Sequence, residues 1–532
     1  MPSDHSTAIV VRKPRRPSPK ARTGCATCKL RRVKCDEEKP CCKRCTSTGR
    51  KCDGYPQSAK SSHFGSFAVN PQPLIVNSVS SRPELGNNVD YLEFYHRRAA
   101  TTLSTRFDKE FWTRTPLQMA QSELCVRHAL LALSYLNKSE SGTLKDARSS
   151  LINVVKHKTL LTHYNKAVNL LVTRMSHPSF SLEVGLVCCL LFIAIELMRG
   201  NHDTTMSHFR SGLDIISTYK RRQKLEANSR NSIIEESLIP MFTRMMTNGV
   251  MYGLETERIA FTNHYPFGTN RCIFRSVWEA EASICNIRNM GLILIRNLGT
   301  KVMQRIPHTA EELQTQRDCL EHHHIWLRAL EKLEVESKLC QEDIVTIHSL
   351  KAQHYCIYIF TATAILTHQT QLDAYLDLFK RLIYHTRVFL DSKDPSPHNV
   401  PGANFTFDLG IIPGLYMTAC RCRCPTTRRE ALALLERKLP REGLWDAQQH
   451  ALVARRVIEL EESNVDPITG WPVESARIWS TQIHGDMDGN GRFPVYLAIG
   501  HWGEGRGAPP LPEGMRIDGH PNGRIWREWF VL

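Results

Sequence analysis

No stretch of this sequence is long and apolar enough to cross a bilayer. The longest candidate, Gly185 to Ile195, is bounded by Glu183 and Glu196 and falls well short of the roughly 20 residues a spanning helix needs, so it reads as a buried helix. The start is equally poor in apolar residues. Ala8 to Val11 is too short for the core of a secretory signal, which argues for a reducing interior where thiols serve metal binding or packing. Catalytic signatures are absent too: there is no G-x-S-x-G elbow, no Walker lysine and no H-E-x-x-H pair, and no catalytic residue is assigned. No alternating strand run stands out, no acidic activation segment is evident, and no apolar heptads follow the N-terminal region.

What the sequence does have is cysteine in a pattern. Seven of its eighteen cysteines fall between Thr23 and Tyr55. Cys25, Cys28 and Cys35 are separated by two and then six residues, and Cys42, Cys45 and Cys52 repeat that spacing 17 positions later. Two residues between thiolates let one turn present both sulfurs to a metal ion, and a short helix returns the third. Six thiolates satisfy two tetrahedral zinc ions only if two sulfurs bridge, so the spacing predicts a two-zinc cluster. Cys41 breaks the repeat if used as a ligand and is read as a passive thiol. A disulfide knot requires an oxidising compartment, and an iron–sulfur cluster normally takes four thiolates rather than two sets of three.

The two halves differ in charge. Between Cys28 and Cys35 lie Lys29, Arg31, Arg32 and Lys34; between Cys45 and Cys52 only Arg50 and Lys51 are basic, beside Gly49. A metal-anchored cationic helix fits a DNA major groove, where Arg and Lys reach guanine O6 and N7. The first half is therefore expected to read bases, and Lys43, Arg44, Arg50 and Lys51 to hold phosphates. Residues 1–60 carry sixteen Lys and Arg against five Asp and Glu, although the whole chain has a net charge of only +16. The basicity is a local footprint for a polyanion.

At these residues the chain resembles the fungal binuclear zinc cluster transcription factors. It matches every cysteine spacing, with a six-residue loop from Asp36 to Cys41 that carries the family's Lys-Pro pair as Lys39 and Pro40. The resemblance implies that Cys25 and Cys42 bridge, that Cys28, Cys35, Cys45 and Cys52 each bind one zinc, and that Arg31 and Arg32 sit where the family contacts guanines of CGG-type triplets. It implies a nuclear regulator of RNA polymerase II transcription. The segments FDKEFWTRTPLQMA, VRHALLALSYL, HYNKAVNLL, LLFIAIELMRGN, HFRSGL, REALALLE, GLWDA and IELEE resemble the family's helical regulatory domain.

The expected organisation is a basic disordered arm (1–22), the cluster (23–55), a flexible linker (56–88), an all-α multi-helix regulatory region (89–480) and an irregular C-terminal tail (481–532). The arm interleaves six Lys and Arg with Pro14, Pro17 and Pro19, which suits nuclear import or added phosphate contact. From Tyr55 to Asn88, Ser, Pro, Asn and Gly make up 17 of 34 residues. In the helical region Leu372, Tyr375, Leu376, Phe379, Ile383, Thr386 and Leu390 form one stripe, Thr427 and Glu430 a capping box, and Leu313, Leu320 and Leu327 an internal packing face.

Other clusters are set aside. Asp486, Asp488, Asn490 and Gly491 imitate a calcium loop, but the twelfth position is Leu497. His322, His323 and His324 point in different directions on a helix and read as surface residues, and Cys420, Cys422 and Cys424 have the wrong spacing for a zinc turn. Gly503, Gly505 and Gly507 lack a following strand–helix unit. The expected partners are double-stranded DNA and, across a two-fold site, a second copy or another transcription protein, with no membrane. The alternative is a non-catalytic zinc module that binds protein or RNA on a helical scaffold, and a weaker third is an enzyme or redox sensor using the extra thiols.

Overall fold

The computed structural model describes residues 25, 27–28, 31, 33–39, 41–52, 88–151, 157–225, 233–251, 273–304, 306–392, 403–407, 409–485, 487–499 and 525–532. The expected arm (1–22), nearly all of the linker, and Lys29, Arg32, Asp486 and the glycines at 503, 505 and 507 lie outside these residues. The chain divides into two units, residues 1–75 and 76–532.

In the first unit the described backbone is a pair of helical turns. The second is α1 (Lys43–Thr46). Each turn ends in a wide loop-back bond: Val33 N–H donates to Cys28 O at 3.1 Å and Arg50 N–H to Cys45 O at 3.0 Å. These pairs are 17 residues apart, so the sequence repeat is also a backbone repeat.

The second unit is built mainly of helices. From Val89 they run α2 (Val89–Phe94), α3 (Ala100–Leu103), α4 (Lys109–Ser122), α5 (Leu124–Ser139), α6 (Leu144–Leu151), α7 (Lys158–Met175), α8 (Leu182–Met198), α9 (His202–Leu225), α10 (Ile239–Met251), α11 (Val277–Gln304), α12 (Ala310–Glu336), α13 (Gln341–Thr363), α14 (Leu376–Asp391), α15 (Ile412–Arg421), α16 (Pro425–Leu435) and α17 (Ala447–Glu462). The apolar run is the centre of α8, buried at every position from Val184 to Met198. A helix apolar on all sides belongs inside a core. Among the described residues no helix is long and apolar enough to cross a membrane.

Of the leucine face on α12, the C-terminal part packs inward, with Leu330 and Leu333 buried and Leu327 half-buried against the same core, whereas Leu313 and Leu320 are half-buried and join no core cluster among the described residues. The stripe on α14 also turns inward through Phe379, Leu382, Ile383 and Thr386. Its first turn, Gln369–Tyr375, is a 3₁₀ segment rather than α-helix. The expected capping box at Thr427 and Glu430 is not used. Helix α16 begins at Pro425 with Cys424 as its N-cap, because proline's fixed φ and missing N–H suit the first helical position. Glu430 instead accepts from Arg387 at 2.6 Å.

Two single charges tie distant segments together. The fully buried Arg441 guanidinium donates to the carbonyls of Gly142 at 2.7 Å, Leu197 at 2.9 Å, Met198 at 2.7 Å and Gly443 at 2.8 Å, capping the C-terminal end of α8. Glu442 accepts the N–H groups of Gly410, Ile411 and Ile412 at 2.8, 2.9 and 3.2 Å, at the start of α15.

The end of the chain departs from expectation. Instead of an irregular tail, β3 (Ile478–Ile483), β4 (Arg492–Ile499) and β5 (Ile525–Val531) form an antiparallel sheet in the order β3-β4-β5. Phe493, Val495, Leu497, Ile499 and Trp526 are buried against α13–α17. Period-two patterning is present in FPVYLAI, but the surrounding Gly and Pro mask it. Arg441 and Glu442 themselves form β2 (Arg441–Glu442), which pairs parallel with the short β1 (Phe405–Thr406).

Candidate metal centre and nucleic-acid interface

Among the described residues of the first unit the buried apolar ones are four cysteines, Cys25, Cys28, Cys42 and Cys45, with Val33, Cys35 and Cys52 half-buried around them. A sulfur core of this size has almost no apolar area to stabilise it. Cys25 Sγ lies 3.5 Å from Cys42 Sγ and 3.8 Å from Cys45 Sγ, and Cys28 Sγ lies 3.6 Å from Cys42 Sγ and 3.7 Å from Cys45 Sγ. A disulfide would be about 2.0 Å. The edge of a tetrahedron with metal–sulfur bonds of about 2.3 Å is roughly 3.8 Å, so the spacing is that of sulfurs arranged around zinc.

The sulfurs fall into two groups of four, Cys25–Cys28–Cys35–Cys42 and Cys25–Cys42–Cys45–Cys52, each with its ligand atoms within 4.8 Å of one another. The groups share Cys25 and Cys42. Burial pushes the Cys25, Cys28, Cys42 and Cys45 thiols up, so they need a cation beside them to exist as thiolates. The sulfurs also receive amides: Cys28 N–H on Cys25 Sγ, and Cys25 N–H and Glu37 N–H on Cys35 Sγ, each at 3.4 Å. Such outer bonds orient ligands. Cys41 is exposed and belongs to neither group.

Of the basic residues expected at DNA, Lys34, Lys43, Arg44, Arg50 and Lys51 are exposed. Arg31 is half-buried, and its Nη1 donates to Thr48 Oγ1 at 3.4 Å across the repeat. Lys43 Nζ pairs with Glu38 at 2.9 Å. Lys29 and Arg32 lie outside the described residues. Sequence reasoning missed two supports. Asp36 accepts Arg44 N–H at 2.7 Å and Glu38 N–H at 3.2 Å, and Thr27 Oγ1 donates to Lys51 O at 3.3 Å. An Asp directly after a ligand cysteine and before a turn was the available signal for the first.

The set-aside clusters resolve differently. Asp488 accepts from Asn490 N–H and Arg492 N–H, as a turn residue does. Cys420 and Cys422 fill the core. The surface reading of the histidine run fails at His323. Helix α12 turns that residue inward, where its Nδ1 lies 3.2 Å from Nδ1 of the buried His354.

A two-metal thiolate module ahead of a large helical region defines a metal-clamped nucleic-acid-binding regulator. Residues 23–62 match the fungal Zn(2)-Cys(6) binuclear cluster domain, and residues 90–253 match the fungal specific transcription factor domain. The chain is 30% identical to the transcription regulator lscL of Purpureocillium lilacinum over 37% of its own length and 49% of the relative's, so it spans about half of that regulator. It is 22% identical to the aspercryptin biosynthesis cluster-specific transcription regulator atnN of Emericella nidulans, over 86% of this chain and 90% of the relative. Over 12% of this chain and 15% of the relative it is 44% identical to the transcriptional regulatory protein moc3 of Schizosaccharomyces pombe. No solved structure matches. The chain thus carries a fungal binuclear zinc cluster domain followed by a fungal transcription factor domain, the parts of a DNA-binding transcription regulator, and its cofactor is zinc, two ions per cluster.

Proposed function

We propose that the protein is a nuclear, sequence-specific regulator of RNA polymerase II transcription whose zinc cluster reads a CGG-like triplet in double-stranded DNA. In this reading Cys25 and Cys42 bridge the two ions, Cys28 and Cys35 complete one site, and Cys45 and Cys52 the other. The sharing of Cys25 and Cys42 between the two sulfur groups carries the reading, since two tetrahedral ions need eight bonds from six thiolates. Zinc supplies a cross-link that fixes both turns.

The basic turn between Cys28 and Cys35, with Lys29, Arg31, Arg32 and Lys34, then lies against base edges, and Lys43, Arg44, Arg50 and Lys51 hold the backbone. Arg31 would have to exchange its bond to Thr48 Oγ1 for one to a base edge. The helical unit governs output and has no catalytic task.

Selection of bound sites from random duplexes by the full chain tests this. A CGG-like triplet is expected to be enriched, and no enrichment overturns the reading. Arg32→Ala should weaken cognate binding by about 1–3 kcal/mol and leave scrambled DNA nearly unaffected.

A further inference from the structure

The C-terminal sheet has two edges, and they are treated differently. Strand β3 is irregular where it pairs with β4, with a register shift between Ile478 and Ser480, the kind of bulge that discourages further pairing. Strand β5 pairs with β4 without interruption, from Arg492–Val531 to Ala498–Ile525, and among the described residues it carries no second neighbour. Its sequence, IWREWFV, is rich in strand-forming aromatic and branched residues and has neither lysine nor proline to blunt the edge.

The faces of β5 alternate. Trp526 is buried and Phe530 half-buried against the core, whereas Arg527, Trp529 and Val531 face outward, Trp529 being 47% and Val531 61% exposed. The Trp529 ring is already a cation acceptor, with the Arg492 guanidinium 4.6 Å and the Arg527 guanidinium 5.4 Å from its centre.

We propose that β5 is a homodimerisation edge that pairs antiparallel with β5 of a second copy about a two-fold axis at Glu528. The strand is self-complementary in that register. Ile525 meets Val531 of the second copy, Trp526 meets Phe530, and Arg527 meets Trp529, so every flanking pair is apolar, aromatic or cation–π. The central pair sets Glu528 against its own copy. That like-charge contact is relieved within each copy, because Arg456 donates to Glu528 at 2.9 and 3.3 Å and Trp526 Nε1 at 3.0 Å. A slip of the second copy by one residue would leave Trp526 and Phe530 in their own cores but set the core face of one sheet beside the outward face of the other, so these matched pairs would be lost.

Isologous pairing of this kind closes at two copies and suits a two-fold DNA site. A seven-residue edge is smaller than the ~1,200–2,000 Å² of a stable interface, so the free dimer is weak, with a dissociation constant on the order of micromolar, and two half-sites on one duplex strengthen it. The interface rests on the sheet edge and not on the reading of guanine, and it is measured without DNA, so either reading can fail alone.

Sedimentation equilibrium of the full chain without DNA is the test. The unaltered protein should self-associate. Ile525→Lys with Val531→Lys sets lysine against lysine at both ends of the pairing and should weaken association at least about ten-fold, with far-ultraviolet circular dichroism and melting unchanged. Mixing an Ile525→Lys chain with a Val531→Glu chain should give a heterodimer tighter than either variant alone. A chain that remains monomeric to about 100 μM overturns the proposal and leaves the edge to a peptide of another protein. So does a double variant that associates as well as the unaltered chain, or a mixture with no preference for the heterodimer.

Discussion

Cysteine does opposite work in the two units. In the cluster the buried thiols lie at tetrahedral spacing and, among the described residues, pack against one another with only Val33 beside them as an apolar side chain, too little apolar surface to hold them without metal. In the helical unit Cys188, Cys189, Cys420 and Cys422 are equally buried but sit among Leu, Ile, Phe and Val as small apolar fillers. One unit is folded by coordination and the other by burial of apolar surface. Treatments that attack one force should therefore leave the other intact.

The largest expected effect is on the cluster. Zinc in such modules contributes an apparent ~10–16 kcal/mol to folding. Chelation, or Cys42→Ser at a sulfur common to both groups, should abolish both zinc content and DNA binding. The melting of the helical unit should not change, and a shift in that transition would show that the two units are not energetically separate.

The converse attack is on Glu461. Its fully buried carboxylate accepts from Arg423 at 2.8 Å, Arg428 at 2.8 Å and Ile478 N–H at 2.8 Å, joining α17 to α16 and the sheet. Burial acts to raise its pKa, but Arg423 and Arg428 outweigh it and hold the carboxyl below the usual range. Glu461→Gln leaves two buried guanidiniums undercompensated and should destabilise the helical unit by about 3–5 kcal/mol. Zinc stoichiometry, measured on the same preparation, should be unchanged.

The two units also differ in how legible they were. Ligand spacing is a local property, so Cys25 through Cys52 announced the cluster from six positions. The buried run at α8 and the stripe on α14 were equally readable, because each is a pattern within one helix. Arg441 and Glu461 were not, since their partners lie up to 299 residues away and nothing in the local pattern marks a buried arginine. His323 was misread because a polar residue buried by contact with a distant His354 looks identical, in sequence, to one in water. The C-terminal sheet was missed because strands of six to eight residues between glycines and prolines carry weak periodicity.

That misread histidine sharpens the comparison through pH. Burial pushes His323 down to about 3 and His354 well below its ordinary value, and the neighbouring His322, His324, His385 and Lys351 add to the effect. Between about pH 3 and pH 6.5 the unfolded chain binds protons at these imidazoles that the folded chain does not. Stability is therefore full above about pH 6.5 and falls as the pH drops, by about 2 kcal/mol per imidazole at pH 5. Burial also lowers His128, His208, His385 and His450, so melting of the helical unit between pH 7.5 and pH 5 should show a loss shared among these imidazoles, and His323→Leu with His354→Leu should make its pH dependence shallower by the share of two of them. An equal slope in the double variant would assign the acid sensitivity to other groups.

The smallest effect is on the cluster surface and concerns affinity rather than folding. Lys43 is exposed, and its hydrogen bond and ion pair with Glu38 raise its pKa, so a phosphate must compete with a carboxylate already 2.9 Å away. Lys43→Ala should lower affinity on cognate and scrambled duplexes alike and flatten the dependence of log K on log salt by about one unit. Removing the competitor should do the reverse: Glu38→Gln frees the ammonium for phosphate and should tighten binding on all sequences, most at low salt where exposed charges are least screened. Neither change alters the six sulfurs, so zinc content should stay constant. If Lys43→Ala instead discriminates between cognate and scrambled DNA, the second half of the repeat reads bases as well, and the division of labour between the two turns gives way to a shared one.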